Sequence, residues 1–244
     1  FVRITAFMTA TPLWGHSSIP NQAKVALAAV IAVVIAPVLP PMPSVPLMSW
    51  AGLGIIIEQM LIGIAIGLVM HIMFAVVQAA GEFIGLQMGL AFASFFDMSS
   101  GTNIMVLSRI LYMVTLLMFL AFNGHLMVLE TLVMSFETLP IGIGSLNPNA
   151  FELLARYAGT IFASGMLLAL PLVASLLIIN LSLGILNRSA PQLTVFNIGF
   201  PTSLTVGIVL LMVLMSDIGS FLQQLFSQGI SFTQSLIETM APLN

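Results

Sequence analysis

The fold class is decided by residues 59–81, which read QMLIGIAIGLVMHIMFAVVQAAG and lie without a formal charge between Glu58 and Glu82. A helix needs roughly 20 consecutive apolar residues to cross the hydrocarbon layer of a bilayer. Other charge-free stretches of about that length are residues 110–129, 157–187 and 189–216. The sequence therefore predicts an all-α membrane protein with several passes through the bilayer.

The composition excludes several other classes of protein. Of the 244 residues, 59% are hydrophobic and 5% are charged, whereas soluble domains carry about 25% charged residues. A net charge of −3 provides no basic surface for nucleic acid, which is bound mainly through its phosphates. The absence of cysteine excludes disulfides and thiolate metal sites. Because the first residue is Phe1 and not methionine, we expect a helix near residues 1–8 to be seen only in part.

Prolines divide the chain into helical hairpins. Residues 37–46 and 138–148 are rich in proline or glycine and predict loops, because proline lacks a backbone donor and fixes φ. Pro171 and Pro201 lie inside two long apolar stretches and predict broken helices there. A broken membrane helix frees backbone groups that lipid cannot satisfy, so we expect these helices to be buried in an assembly.

A ridge of small residues follows the first long apolar stretch. Gly81, Gly85, Gly89 and Ala93 recur every four residues. Small residues at this spacing lie on one face of a helix and let another backbone approach closely. We expect tight helix packing along this ridge, within the chain or with a partner.

The last part of the chain changes character after Asp217, where we expect a helix to end. Apolar residues then alternate with glutamine and serine at helical spacing, the pattern of an amphipathic helix. We assign this helix to residues 217–244, at the membrane surface or on a partner.

Three charged residues lie at the edges of apolar segments, where an ionisable side chain is costly and is a functional candidate by default. Glu82 begins the glycine-rich segment, Arg109 ends it, and Arg188 separates the two proline-containing stretches. Intramembrane charges usually pair with one another. We therefore expect Glu82, Arg109 and Arg188 to form ion pairs that hold the hairpins together.

An aromatic cluster that runs into turn-forming residues predicts a pore constriction. Its members are Phe92, Phe95, Phe96, Asp97, Met98, Ser99, Ser100, Gly101, Thr102 and Asn103. Strongly apolar segments flank it, and a loop at membrane depth is tolerated only inside protein or beside water. The alternative is a plain loop outside the membrane.

The histidines and aspartates do not form a catalytic pattern. His16, His71 and His125 lie in different segments, without a second ligand at metal-binding spacing. Asp97 and Asp217 could pair as an aspartyl dyad, but neither lies in a recognisable motif. We expect no enzyme activity, no metal and no cofactor.

Four motifs, in order, resemble those of the FliR family, the flagellar member of the type III secretion export gate. They are GEFIGLQMGLAFA at 81–93, FNGH at 122–125, LPIG at 139–142 and NRSAPQLTVFNIGFP at 187–201. The similarity extends over nearly the whole chain, which makes it specific.

This resemblance implies a structural subunit of the export gate, in the bacterial inner membrane at the flagellar basal body. Residues 1–148 would be a FliP-like part, residues 149–216 a FliQ-like hairpin, and residues 217–244 the C-terminal helix. The subunit would form a helical ring with FliP and FliQ and contact FlhA and FlhB. Unfolded flagellar proteins would pass through the ring, and residues 92–103 match the loop that plugs the closed pore. Much of the apolar surface would then be buried against other subunits as well as lipid.

Two alternatives stay open. One is a secondary transporter that uses broken helices around a substrate site at the bilayer midplane, although the first half of the chain holds no interruptions to match Pro171 and Pro201. The other is the homologous subunit of a virulence-type secretion system, which would share the same motifs.

Overall fold

The computed structural model describes residues 1–39, 45–46, 49–90, 106–142, 144, 146–189 and 199–242. Within these ranges the chain forms helices and no β-strand. The helices are α1 (Val2–Ala10), α2 (Asn21–Ile35), α3 (Trp50–Gln87), α4 (Val106–Ala121), α5 (Gly124–Thr138), α6 (Asn149–Tyr157), α7 (Thr160–Ser189) and α8 (Phe200–Met240). The all-α prediction is confirmed.

Three stretches of the described residues are long and apolar enough to cross a membrane: α3, residues Asn149–Arg188 and α8. Helices α4 and α5 together would add a fourth span with a break inside it. Helix α2 is apolar but, at 15 residues, shorter than a span. These helices confirm the multi-pass membrane class.

Two of these helices are much longer than a bilayer requires. Helix α3 has 38 residues and α8 has 41. At 1.5 Å per residue they are about 57 Å and about 62 Å long, whereas the hydrocarbon layer is about 30 Å thick. Each helix is therefore about twice as long as a perpendicular crossing of the apolar layer requires.

The chain divides into two compact units, each assembled from separate stretches. The first comprises residues 1–74, 119–159 and 225–244. Its core contains an aromatic trio from α3, α4 and α8, in which the ring of Phe119 lies 5.5 Å from that of Phe74 and 5.0 Å from that of Phe226. Both pairs meet edge to face, a favourable arrangement for aromatic rings.

The second unit comprises residues 75–118 and 160–224. Helix α7 lies close to α3, because a Cβ on Gly165 would be 2.9 Å from the main-chain oxygen of Val76. Helices α7 and α8 are joined by a hydrogen bond of 2.8 Å from Ser203 Oγ to Asn180 Oδ1.

The prolines do not break the helices in the way that the sequence suggests. Helix α7 continues through Pro171; the loss of one donor is tolerated in a membrane helix where neighbouring groups satisfy the freed carbonyl. Pro201 lies in the first turn of α8, where a backbone N–H would have no partner within the helix.

Two other boundaries also differ from the prediction. Asp217 does not end a helix; it lies inside α8, so the amphipathic segment is the second half of that helix. The stretch 110–129 is not one helix, because α4 ends at Ala121 and α5 begins at Gly124. Asn123, between them, has φ 56°, in the left-handed region.

Candidate functional site

A buried arginine organises the first unit. Arg3 lies on α1 and is 1% exposed. Its Nε donates to Gln59 Oε1 of α3 at 2.8 Å, and its Nη1 donates to the main-chain oxygen of Ser135 at 2.8 Å and to Ser135 Oγ at 3.0 Å. Nη2 donates to the main-chain oxygen of Leu139 at 2.7 Å. One side chain therefore joins α1 to α3 and to the end of α5.

The charge of Arg3 is compensated without a carboxylate among the described residues. Its acceptors include carbonyls at the C-terminus of α5, where the helix dipole is negative. The guanidinium carbon also lies 4.1 Å from the centre of the Phe136 ring, within the range of a cation–π interaction. Burial lowers the pKa of Arg3 to about 10, which leaves the group charged at neutral pH.

A second cation is also buried in this unit. Lys24 lies at the start of α2 and is 8% exposed. Its Nζ donates to the main-chain oxygen of Gly15 at 3.0 Å. The ammonium group thus fastens the segment between α1 and α2 to the helix that follows it.

Two glycines of α3 allow α1 to approach closely. A Cβ on Gly63 would lie 2.3 Å from the main-chain oxygen of Arg3, and a Cβ on Gly67 would lie 2.5 Å from Ala10 Cβ. Because real Cβ atoms do not come so close, α1 can occupy this position only against glycine. The backbone that carries Arg3 is placed by this contact.

The predicted glycine ridge is divided between a helix and a turn. A Cβ on Gly81 would lie 2.6 Å from Ser108 Cα, so α3 and α4 meet closely there. Gly85 is also buried. Gly89 follows the end of α3 with φ 81°, and the N–H of Leu90 donates to the oxygen of Gly85 at 2.9 Å. Gly89 therefore ends the helix in a Schellman turn and does not continue the ridge; Ala93 lies outside the described residues.

The predicted charges are placed at the surface of the chain. Glu82, Arg109 and Arg188 are all exposed. In the described ranges the one ion pair is between Arg156 and Glu152, at 2.7 Å within α6, so the three predicted charges do not pair with one another. Pairing with other residues stays a prediction.

The predicted pore constriction lies outside the part of the chain that the structure describes. All of its residues lie outside the described ranges: Phe92, Phe95, Phe96, Asp97, Met98, Ser99, Ser100, Gly101, Thr102 and Asn103.

Across the residues that are described, His, Asp and Glu form no group able to hold a metal ion.

Comparison with known sequences identifies the family. The family described as "Bacterial export proteins, family 1" matches residues 1–229. The chain is 47% identical over 239 residues to the "Flagellar biosynthetic protein FliR" of Escherichia coli, covering 98% of this chain and 91% of that protein. The chain belongs to the FliR family of bacterial export proteins. It is also 47% identical to FliR of Pectobacterium carotovorum over 228 residues, covering 93% of this chain and 87% of that protein, and 31% identical to FliR of Bacillus subtilis over 242 residues, covering 97% and 92%.

Two of the motifs that carry the resemblance to the FliR family lie at the two ends of α5. FNGH at 122–125 contains the left-handed Asn123 and the first residues of the helix, and LPIG at 139–142 begins with the Leu139 oxygen that Arg3 binds. In this FliR-family chain, α5 therefore begins at a left-handed residue and ends at a carbonyl held by a buried arginine. The residue types in the two motifs do not by themselves predict this role.

Sequence reasoning also missed Arg3 and Lys24, since it treated basic residues only as boundaries between apolar segments. One signal was available for Arg3. It lies in the apolar run VRITAFMTA, and an arginine in such a run must find acceptors inside the protein.

Proposed function

We propose that this chain is a structural, non-catalytic subunit of the flagellar type III export gate. In this proposal it forms a protein-conducting channel in the bacterial inner membrane with FliP and FliQ, and FlhA and FlhB dock on that channel. Unfolded flagellar proteins pass through it, and residues 92–103 help to close it. Membership of the FliR family is the observation that carries the proposal, and the named relatives favour the flagellar system over a virulence-type one.

The distribution of exposed apolar residues supports a role inside an assembly. Helix α3 is mostly buried within the chain, whereas α7 and the first half of α8 are mostly exposed. Phe162 and Met212 are each 70% exposed. An exposed apolar surface of this kind marks a contact with a protein or with lipid, and in the proposal neighbouring subunits cover it together with lipid.

Native mass spectrometry tests the proposal. The full chain would be co-expressed with FliP and FliQ and extracted in mild detergent. We expect a complex that contains this chain together with several copies of both partners. A lone monomer or homodimer would contradict the proposal, and the transporter alternative would then be tested by substrate-dependent stabilisation of the purified chain.

A further inference from the structure

We infer that a polar cavity in the first unit binds a lysine or arginine side chain from a neighbouring subunit. The cavity has a volume of about 240 Å³ and lies between the last two turns of α5 and the last two turns of α8. Its polar lining comes from Thr131, Ser135 and Thr138 of α5 and from Gln234 and Glu238 of α8. This inference rests on the proposed function, because it assigns one contact within the assembly.

Two of the three hydroxyl groups that line the cavity already donate their protons to main-chain oxygens. Thr131 Oγ1 donates to the main-chain oxygen of Met127 at 2.9 Å, and Ser135 Oγ donates to that of Leu132 at 2.6 Å. Each hydroxyl has one proton and two lone pairs. Thr131 Oγ1 can therefore only accept further hydrogen bonds, and Ser135 Oγ, which already accepts one from Arg3 Nη1 at 3.0 Å, can accept one more. With the Glu238 carboxylate, which forms no ion pair with the described residues, the lining calls for a donor.

The field in the cavity is negative. Glu238 contributes one negative charge, and the C-terminal ends of α5 and α8 contribute about half a negative charge each. Together these groups contribute about two negative charges. Arg3, which is bound to the α5 carbonyls behind Ser135, contributes one positive charge, so the net charge around the cavity is about −1. The field and the acceptors therefore both favour a cation that carries N–H groups.

This chain does not supply that cation from the part of the unit that the structure describes. Arg3 and Lys24 are buried on main-chain oxygens, and Arg156 is engaged with Glu152. Each of these three cations is therefore either buried in the protein or paired with another carboxylate, whereas the Glu238 side chain is exposed. Charge complementarity therefore points to a basic group from another protein.

The size of the cavity agrees with a side chain as occupant. Small-molecule sites have volumes of roughly 300–1,000 Å³, and one water needs about 30 Å³. At about 240 Å³ the cavity is too small for a typical ligand and large enough for a long side chain. Its rim at Met134 and Glu238 is exposed, so a neighbouring subunit can reach it.

Charge-neutralising variants test the inference in the co-expressed complex. We expect Glu238→Gln to weaken association with the partner subunits about tenfold, which corresponds to about 1.4 kcal/mol, and Glu238→Lys to weaken it further. The matched control is Glu137→Gln, which removes an exposed carboxylate of α5 that does not line the cavity. Recovery of the complex over a range of salt concentrations is the measurement.

A photocrosslinker identifies the occupant directly. p-Benzoylphenylalanine at position 234, in the full chain within its native membrane, should crosslink to an export-gate subunit at a peptide that contains lysine or arginine. If the complex forms but Glu238→Gln behaves like Glu137→Gln, or if the crosslinker captures only lipid, the inference is wrong and the proposed function stands. If the unmodified chain is recovered without partners, the proposed function fails and the inference fails with it.

Discussion

Nη2 of Arg3 donates a hydrogen bond of 2.7 Å to the main-chain oxygen of Leu139, the residue that caps the C-terminus of α5. Helix termini leave carbonyls without partners inside the helix, and a buried terminus needs donors from elsewhere. The guanidinium supplies them, with donors in a rigid planar fork. A buried cation on α1 therefore satisfies a carbonyl at the C-terminus of α5, which lies 136 residues further along the chain.

Replacement of Arg3 should destabilise the protein strongly. Arg3→Met removes the donors to Gln59, Ser135 and Leu139, and each buried acceptor left unsatisfied costs about 1–3 kcal/mol. We expect a loss of about 3 kcal/mol or more in the free energy of unfolding, and a smaller loss for Arg3→Lys, which keeps the charge but not the fork. Thermal unfolding in detergent measures this.

The control for Arg3 is Arg156→Met. Arg156 forms an exposed ion pair with Glu152 one turn away, and such pairs contribute only about 0.3–0.5 kcal/mol. Equal unfolding temperatures for Arg3→Met and Arg156→Met would show that the buried arginine does not stabilise the fold.

Glycine substitutions in α3 should separate packing from helix propensity. In Gly63→Ala the new Cβ would lie 2.3 Å from the Arg3 oxygen and 2.9 Å from Ala6 Cβ, so α1 must move. Overpacking of this kind typically costs about 1–3 kcal/mol. Gly54→Ala is the matched control in the same helix, because nothing lies within 4 Å of its Cβ; alanine should stabilise there by up to about 1 kcal/mol. Destabilisation by Gly54→Ala as large as that by Gly63→Ala would contradict the contact.

The connection between α4 and α5 depends on a left-handed residue. Asn123 has φ 56°, a conformation that costs most side chains about 1–2 kcal/mol but suits glycine and asparagine. We therefore expect Asn123→Gly to be tolerated and Asn123→Val to be destabilised by about that amount. Urea or thermal unfolding of the two variants, side by side, measures the difference; a stable Asn123→Val protein would mean that the turn can adopt another geometry.

The presence of the apolar helices could be predicted from the sequence more accurately than the residues at which they begin and end. A charge-free run such as 59–81 can only be buried in protein or lipid, so its class was predictable. A charge inside a helix does not end it, however, and the change from a continuous apolar stretch to an amphipathic pattern at Asp217 is a change of surface and not a break in the helix. Nothing local therefore distinguished one helix of 41 residues from two.

The break after α4 had a local signal that the charge argument did not weigh. Asn123-Gly124 is a dipeptide typical of turns, yet it lies in a charge-free stretch, and the absence of charge by itself predicts a continuous span there. The contacts of Arg3 were beyond prediction for another reason. They join residues 136 positions apart, and only the packing of α1 against the glycines of α3 brings them together.

The predicted plug provides the last test. Deletion of residues 95–103 should raise the ion permeability of the membrane while the complex still assembles, because the aromatic and methionine side chains of this loop would no longer seal an idle channel. The measurement is the conductance of the purified complex in a planar bilayer, with its composition checked by native mass spectrometry. Replacing only residues 99–103 with a glycine-serine segment of equal length is the control, since it keeps Phe95 and Phe96 and should preserve the seal. An assembled deletion complex with unchanged conductance would assign closure of the channel to other residues.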